Sequence, residues 1–141
     1  MVKEKIKLKV IKYNKHLQNE MDIKLINYKF YSQKYIAYKS NILGKEYKGL
    51  DDSLLFEGDY LNGERNGKGK KYYANGKVKF EGEFLKGKRY GKGKEYYEDG
   101  ILKFEGEYLN GERNGKGKEY DYNGNIIFEG EYLKGKRLNK K

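Results

Sequence analysis

A run of nearly identical 24-residue units occupies the second half of the chain. Each unit begins with F-E-G-[DE]-[YF]-L-[NK]-G-[EK]-R, and its first residue recurs at Phe56, Phe80, Phe104 and Phe128. Seventeen of the 19 glycines keep five fixed positions within the unit. Such a repeat indicates a structure built from one small motif stacked on its own copies, because a single unit cannot bury its apolar side chains alone.

The repeat divides the 141 residues into three parts. The clear units are 56–79, 80–103, 104–127 and a partial unit, 128–141. Residues 31–55 resemble a degenerate unit, because "YSQKYIAYKSNILGKEY" aligns without a gap on residues 104–120. Residues 1–30 lie outside the repeat, and we predict that they form a cap of strand, short helix and strand over the first end of the structure.

Within a unit, the residue pattern predicts two short strands. In "KFEGEFL", residues 79–85, aromatic residues and glycine alternate with glutamates and leucine, as on the two faces of a strand. The dipeptides at 75–76, 99–100 and 123–124 are Asn-Gly or Asp-Gly and predict two-residue type I′ turns. The segments of the type "NGERNG" predict a second, longer turn. The units therefore predict a mainly β fold in which tandem hairpins continue as one antiparallel meander.

The charges on either side of the second predicted turn agree with this hairpin. A two-residue loop places Lys94 opposite Glu105 and Lys92 opposite Glu107, and such pairs contribute about 0.2–1 kcal/mol each. The equivalent loop one unit earlier gives the same Lys–Glu pairing. A type I turn with a bulge would shift the register by one residue, so both registers remain open.

Glycine inside a strand weakens it unless another group needs the space. In the first of these registers, Gly93 lies opposite Gly106 on the same face as Phe104. Facing glycines would leave a slot for aromatic rings from neighbouring strands. The glycines with this predicted structural role are Gly58, Gly69, Gly82, Gly93, Gly106, Gly117 and Gly130.

The composition favours a thin, ordered sheet over a disordered chain. Although 38% of the residues are charged, there are 16 Tyr, 6 Phe and no Pro, whereas disordered chains are poor in aromatic residues and rich in proline. The absence of cysteine excludes disulfides, thiolate catalysis and cysteine-type metal sites. We find no secretory signal and no membrane-spanning apolar run, so we expect a cytoplasmic protein, with peripheral membrane attachment as the alternative.

These units resemble the MORN repeat. That family's pattern, aromatic-x-G-[ED]-aromatic-x-x-G-x-x-x-G-x-G, extends here from Phe56 to Gly69 and recurs in full from Phe80 and Phe104 and in part from Phe128. The family favours tryptophan at the second aromatic position, where this chain has Tyr or Phe. The resemblance implies a rod-like, single-layer, twisted sheet of hairpins. It also implies a role as a scaffold, a dimerisation rod or a docking surface, and some members are linked to membrane phospholipids.

The last unit stops in its middle, which predicts an edge strand over residues 128–133. Basic residues after this strand would discourage two sheets from joining edge to edge. These residues are Lys134, Lys136, Arg137, Lys140 and Lys141. The alternative is a homodimer formed through this open C-terminal edge.

No residue pattern points to catalysis, to a metal ion or to a cofactor. His16 is the only histidine, and no Ser, Cys or second His lies near it. Glutamates recur beside lysines in every unit, whereas a catalytic carboxylate pair is normally confined to one place. The segment "NGKGK" lacks the spacing of a phosphate-binding loop and precedes no predicted helix. We therefore predict a non-enzymatic protein without a cofactor.

Two surfaces are candidate binding sites. The first is an aromatic contact face for a protein partner: Phe56, Tyr60, Phe80, Phe84, Phe104, Tyr108, Phe128 and Tyr132. The second is a lysine stripe for anionic phospholipid (a phosphoinositide or phosphatidic acid): Lys68, Lys70, Lys92, Lys94, Lys116 and Lys118. Arg65, Arg89 and Arg113 recur near the lysine stripe, and the net charge of the chain is +11.

A scaffold that docks a protein partner is the first functional hypothesis, and peripheral binding to an anionic membrane is the alternative. Nucleic acid is the least favoured partner, because binding of single-stranded RNA needs aromatic residues exposed beside the basic ones. We expect the recurring tyrosines of these segments to pack across the hairpins instead.

Overall fold

Ten strands form one antiparallel sheet in a computed structural model that describes residues 34–40, 42–48 and 51–138. Each strand is hydrogen-bonded to the strands that precede and follow it in the chain, so the sheet is a meander without crossovers. The strands are β1 (Lys34–Tyr38), β2 (Leu43–Lys48), β3 (Leu54–Leu61), β4 (Glu64–Tyr72), β5 (Val78–Leu85), β6 (Lys88–Tyr96), β7 (Leu102–Leu109), β8 (Glu112–Tyr120), β9 (Ile126–Leu133) and β10 (Lys136–Leu138).

This architecture confirms the predicted mainly β fold of consecutive hairpins. The described residues contain no helix, and therefore none that could span a membrane. The cap predicted over residues 1–30 lies outside the described residues. Strands β1 and β2 form a hairpin within residues 31–55, the segment predicted to be a degenerate unit.

The predicted Lys–Glu register is confirmed. Lys92 pairs with Glu107 and Lys94 with Glu105 across β6 and β7, and the equivalent pairs recur between β4 and β5 and between β8 and β9. Opposite charges therefore face each other in every unit along the sheet.

The turn that produces this register differs from the prediction. The N–H of Gly100 donates to the carbonyl of Tyr97 at 2.9 Å, so the turn centres on Glu98 and Asp99. Gly100 follows with a φ of 99°, and Asp99 has no positive φ, so the two-residue type I′ loop is wrong here. The additional loop residue would shift the pairing by one, and a bulge at Lys103 restores it.

The type I′ turns lie within each unit, between its two strands. Both central residues have positive φ, as this turn requires. The first central residues are Asn62, Lys86, Asn110 and Lys134, with φ of 51°, 48°, 52° and 47°. Leu61 pairs directly with Glu64, so the loop has two residues. The longer turn predicted at the "NGERNG" segments is therefore wrong, because the chain re-enters a strand straight after the first Asn-Gly.

The same turn corrects the predicted edge strand at residues 128–133. Lys134 and Gly135 take the type I′ conformation, and β10 then pairs with the end of β9. At this end of the described sheet β10 is therefore the outer strand. The homodimer through this edge remains a prediction.

A row of glycines crosses eight consecutive strands, from Gly44 in β2 to Gly130 in β9. It includes the predicted pairing of Gly93 with Gly106, which is confirmed. A Cβ atom added at Gly93 would lie 2.5 Å from Cζ of Phe80. Glycine is required in this row because a phenylalanine ring packs directly against the backbone.

Candidate interaction surfaces

Alternation along the strands gives the sheet two faces of different chemistry. The ring face carries the aromatic residues of the repeat. The charged face carries the lysines and glutamates that flank the row of glycines. The two candidate binding sites therefore lie on opposite faces of one sheet.

The ring face is the core of the protein. Seven of the eight rings of the aromatic contact face are 0–4% exposed, and Phe128 is partly buried. The Phe56 ring makes edge-to-face contacts with Tyr60 of its own unit at 5.5 Å and with Phe84 of the next unit at 5.0 Å, between centroids. This pattern recurs along the sheet. Buried rings offer no surface to a partner, so the aromatic contact face is corrected: these rings hold adjacent units together.

Arginine side chains lie over these rings. The guanidinium carbon of Arg113 is 4.1 Å from the centroid of Phe104. Arg65, Arg89 and Arg137 lie in the same way over the first phenylalanine of their units, at 4.6, 5.2 and 5.1 Å. The arginines predicted to lie near the lysine stripe are therefore on the opposite face.

Glutamates join these arginines into a ladder on the ring face. The carboxylate of Glu95 pairs with Arg89 and, at 2.9 Å, with Arg113. Glu119 pairs with Arg113 at 3.2 Å and with Arg137 at 2.7 Å. We call the following residues the Arg–Glu ladder: Glu46, Arg65, Arg89, Glu95, Arg113, Glu119 and Arg137. This ladder was not predicted from the sequence, although its arginines keep one position in every unit of the repeat.

Tyrosine hydroxyls add to the Arg–Glu ladder and shift its ionisation. The hydroxyl of Tyr108 donates to Glu95 at 2.9 Å. Burial, followed by the charge of Glu95, raises the pKa of Tyr108 far above its usual value. Burial alone would raise the pKa of Glu95, but Arg113, Arg89 and the Tyr108 hydroxyl together lower it below the usual value.

The charged face carries one short Lys–Glu ion pair in each unit. The amine of Lys94 lies 3.7 Å from the Glu105 carboxylate. The equivalent pairs are Lys45–Glu57, Lys70–Glu81 and Lys118–Glu129, at 3.4, 3.3 and 3.2 Å. The Tyr120 hydroxyl donates to Glu105 at 2.7 Å, so this recurring tyrosine packs across the hairpin. Half of the lysine stripe is therefore paired with carboxylates of the same sheet.

The other three lysines of the stripe form no ion pair with the residues that the structure describes. They are Lys68, Lys92 and Lys116. The carboxylate of Glu107 instead accepts a hydrogen bond from the backbone N–H of Lys116 at 2.9 Å, and Asp59 does the same for Lys68. These amines are consequently available on the charged face.

The charged face is hollowed into a groove with the row of glycines as its floor. Over β6 to β10 the groove has a volume of about 1300 Å³, and it continues over β2 to β6 with about 720 Å³. Lys92 and Lys94 line both parts. The groove therefore presents similar Lys–Glu walls over successive units.

A row of exposed leucines borders the charged face and was missed by the sequence analysis. Leu61, Leu85, Leu109 and Leu133 are 44–59% exposed, each directly before a type I′ turn. The turns themselves are joined, since the N–H of Gly87 donates to the Arg65 carbonyl at 2.9 Å. The sequence signal for this row is the leucine that recurs in every unit of the repeat. Periodicity alone does not distinguish such a leucine from a core residue.

The described residues hold no cluster of three or more metal-ligating side chains. A search of curated proteins gives no match. The family model of the MORN repeat matches residues 56–78 and 104–126, and the model of a MORN repeat variant matches residues 89–110. Together with the sheet of consecutive hairpins, these matches show that the tandem units of this chain belong to the MORN repeat family.

Proposed function

We propose that the chain is a non-catalytic scaffold that docks a segment of a partner protein on its charged face. MORN repeats mediate interactions with proteins or membranes, and the family is generally non-enzymatic. The observation that carries the proposal is the groove, which extends over several units with the same Lys–Glu pattern on its walls.

The groove favours a segment that carries acidic and apolar side chains. Lys68, Lys92 and Lys116 can each receive a carboxylate, and the exposed leucines at the border can receive apolar groups. Equivalent side chains of successive units are two strand spacings apart, roughly 9.6 Å. Acidic residues of the partner that recur at about this interval would meet each unit in the same way.

A charge swap tests the docking proposal. The double variant Lys118→Glu, Glu129→Lys keeps the ion pair and the net charge, so the thermal midpoint should stay close to that of the wild type. It reverses the local charge pattern of the groove, so affinity capture should lose the partners that the wild type retains. Unchanged capture by a folded swap variant would remove the charged face as the docking surface.

Binding to an anionic membrane is the second candidate, favoured by the three unpaired lysines and the net charge of +11. Each lysine near an anionic surface contributes roughly 1 kcal/mol. Sedimentation with phosphoinositide vesicles should then weaken as salt rises and should be lost in Lys92→Glu, Lys94→Glu. The charge swap keeps the net charge and should leave this binding intact, which separates the two candidates. No sedimentation of the wild type at low salt would remove the membrane candidate.

A further inference from the structure

The Arg–Glu ladder is interrupted at one position. Glu46, Glu95 and Glu119 each lie opposite the first phenylalanine of the following unit. In β4 this position, opposite Phe80, is occupied by Lys71. A cation therefore stands where the other units have a carboxylate, between Arg65 and Arg89.

The partner hydroxyl is missing at the same place. Tyr60, Tyr108 and Tyr132 each donate a hydrogen bond to the ladder glutamate before them. The equivalent residue after Lys71 is Phe84, which has no hydroxyl. The acceptor and its donor are thus both absent, so this unit differs from its neighbours in two matched positions.

The substitution leaves Lys71 as a cation without an anion of its own, beside Arg65 and Arg89, which pair with Glu46 and Glu95. Among the described residues Lys71 makes no ion pair and no side-chain hydrogen bond, and Arg89 uses only Nη1, toward Glu95. Burial, followed by the charges of Arg65, Arg89 and Lys79, lowers the pKa of Lys71. With glutamate at this position, the four arginines would face four carboxylates. With Lys71 the ladder has five cations and three carboxylates, an excess of two positive charges.

We propose that Lys71, Arg65 and Arg89 form a binding site for a phosphate group on the ring face. A phosphate carries about −1.5 to −2 charges at pH 7, which matches the excess of the ladder. Its oxygens can accept from two guanidinium groups and an ammonium at once, as the Glu95 carboxylate accepts from two arginines and a tyrosine hydroxyl. The site is half-buried, so its bonds are less screened by salt than those of the exposed lysine stripe.

Thermal unfolding in phosphate and in chloride, at equal ionic strength and pH, tests this site. Phosphate stabilises proteins in general by exclusion, so the informative quantity is the difference between variants. At tenfold excess over the dissociation constant, bound phosphate should raise the wild-type midpoint by about 3 °C or more beyond that general effect. Lys71→Glu restores the carboxylate and should abolish the additional rise.

Two further variants complete the comparison. Lys88→Glu makes the same charge change at an exposed strand position and should keep the phosphate response. Lys71→Met removes the charge while keeping an unbranched side chain, and it should lose the response even if Lys71→Glu folds poorly. An equal phosphate response in the wild type, Lys71→Glu and Lys71→Met would overturn the proposal, and so would the absence of any additional rise.

The source of the phosphate is decided by a second measurement. The phosphate belongs to a lipid headgroup if the wild type sediments with phosphatidic acid vesicles but not with phosphatidylcholine vesicles, and if Lys71→Met loses this sedimentation. Sedimentation that does not depend on Lys71, together with a Lys71-dependent response to inorganic phosphate, would assign a soluble phosphate. Both results support the site, and both are independent of Lys92 and Lys94 on the opposite face.

Discussion

Phe56, Phe80 and Phe104 each lie against two glycines, one on the same strand and one on the next strand, and this contact is the smallest unit of the fold. The Phe80 ring approaches the backbone of both Gly82 and Gly93, where added Cβ atoms would lie 2.9 and 2.5 Å from its Cζ. The absence of side chains at the two glycines therefore allows the ring to be buried in a sheet that has no second layer.

Gly93→Ala should destabilise the sheet by about 1–3 kcal/mol, because the methyl group overpacks the Phe80 ring and the backbone near it. Gly93 has no positive φ, so the cost is steric. Urea unfolding measures the loss. Lys92→Ala is the control, because it lies next to Gly93 at an exposed position of β6 and adds no atom toward a ring. A Gly93→Ala variant as stable as the control would contradict the ring–glycine contact.

The charged residues of the ring face predict how stability depends on pH. The pKa of Glu95 and that of Glu119 are lowered in the folded state, so their contribution is present above the unfolded pKa and is lost as pH falls. The pKa of Tyr60 and that of Tyr108 are raised, first by burial, so their contribution is present below the unfolded pKa, about 10, and is lost as pH rises.

Unfolding free energies measured from pH 3 to 11 should therefore show a plateau between roughly pH 5 and 9 with a fall on each side. Tyr108→Phe should reduce the alkaline fall, because the phenylalanine cannot ionise in the unfolded chain. An alkaline limb that is the same in this variant would show that Tyr108 does not contribute to it.

At the scale of the strand and turn, two hairpin types alternate along the chain. The type I′ turns at Asn62, Lys86, Asn110 and Lys134 join the strands within a unit. The turns that end in Gly76, Gly100 and Gly124 join one unit to the next. Lysine is a poor residue for a left-handed conformation, and asparagine is a good one.

Lys86→Asn should therefore stabilise the protein by about 0.5–1 kcal/mol, since Lys86 holds a φ of 48° where the neighbouring units have asparagine. The midpoint of urea unfolding measures the gain. Lys88→Asn, two residues further into β6, removes the same charge and should bring no gain. An equal shift in the two variants would attribute the effect to charge and not to the turn.

The strands and their register could be predicted from the sequence, whereas the turns could not. Lys–Glu pairs and facing glycines are satisfied in one register only, and this register forms. Asn-Gly occurs in both kinds of hairpin, at residues 62–63 and 75–76, and only the first has the type I′ conformation. The second Asn-Gly belongs to a three-residue loop, and a bulge in the following strand restores the register. The dipeptide alone predicts neither the longer loop nor the bulge.

The candidate site was predicted in part. Alternation placed the rings on one face and the lysines on the other, but it did not show which face is covered. The cover comes from rings of the next unit and from the arginines above them, such as Arg113 over Phe104. Those contacts depend on how adjacent hairpins approach each other in space. The arginines were consequently expected beside the lysines.

At the scale of the molecule, the protein is a one-dimensional stack in which each unit packs only against its neighbours. Phe104 contacts Tyr132 of the next unit, and Glu95 pairs with Arg113 of the next unit. Stability should then be close to a sum of unit and interface contributions. Adding or removing one unit should also lengthen or shorten the groove by the length of one unit, because each unit contributes the same part of its wall.

The most direct test of this account is the unfolding of a variant that lacks one whole unit, residues 104–127. The deletion joins Lys103 to Phe128, so that Phe80 meets Tyr132 and Glu95 meets Arg137 in the places of the deleted residues. Deletion of half a unit, residues 104–115, removes fewer residues but breaks the alternation of ring and glycine.

The account predicts one cooperative urea transition for the whole-unit deletion, with a smaller slope and a lower unfolding free energy than the wild type. The half-unit deletion should lower the unfolding free energy more than the whole-unit deletion does, although it removes fewer residues. Loss of the cooperative transition in the whole-unit deletion, or a half-unit deletion that is the more stable of the two, would contradict the account.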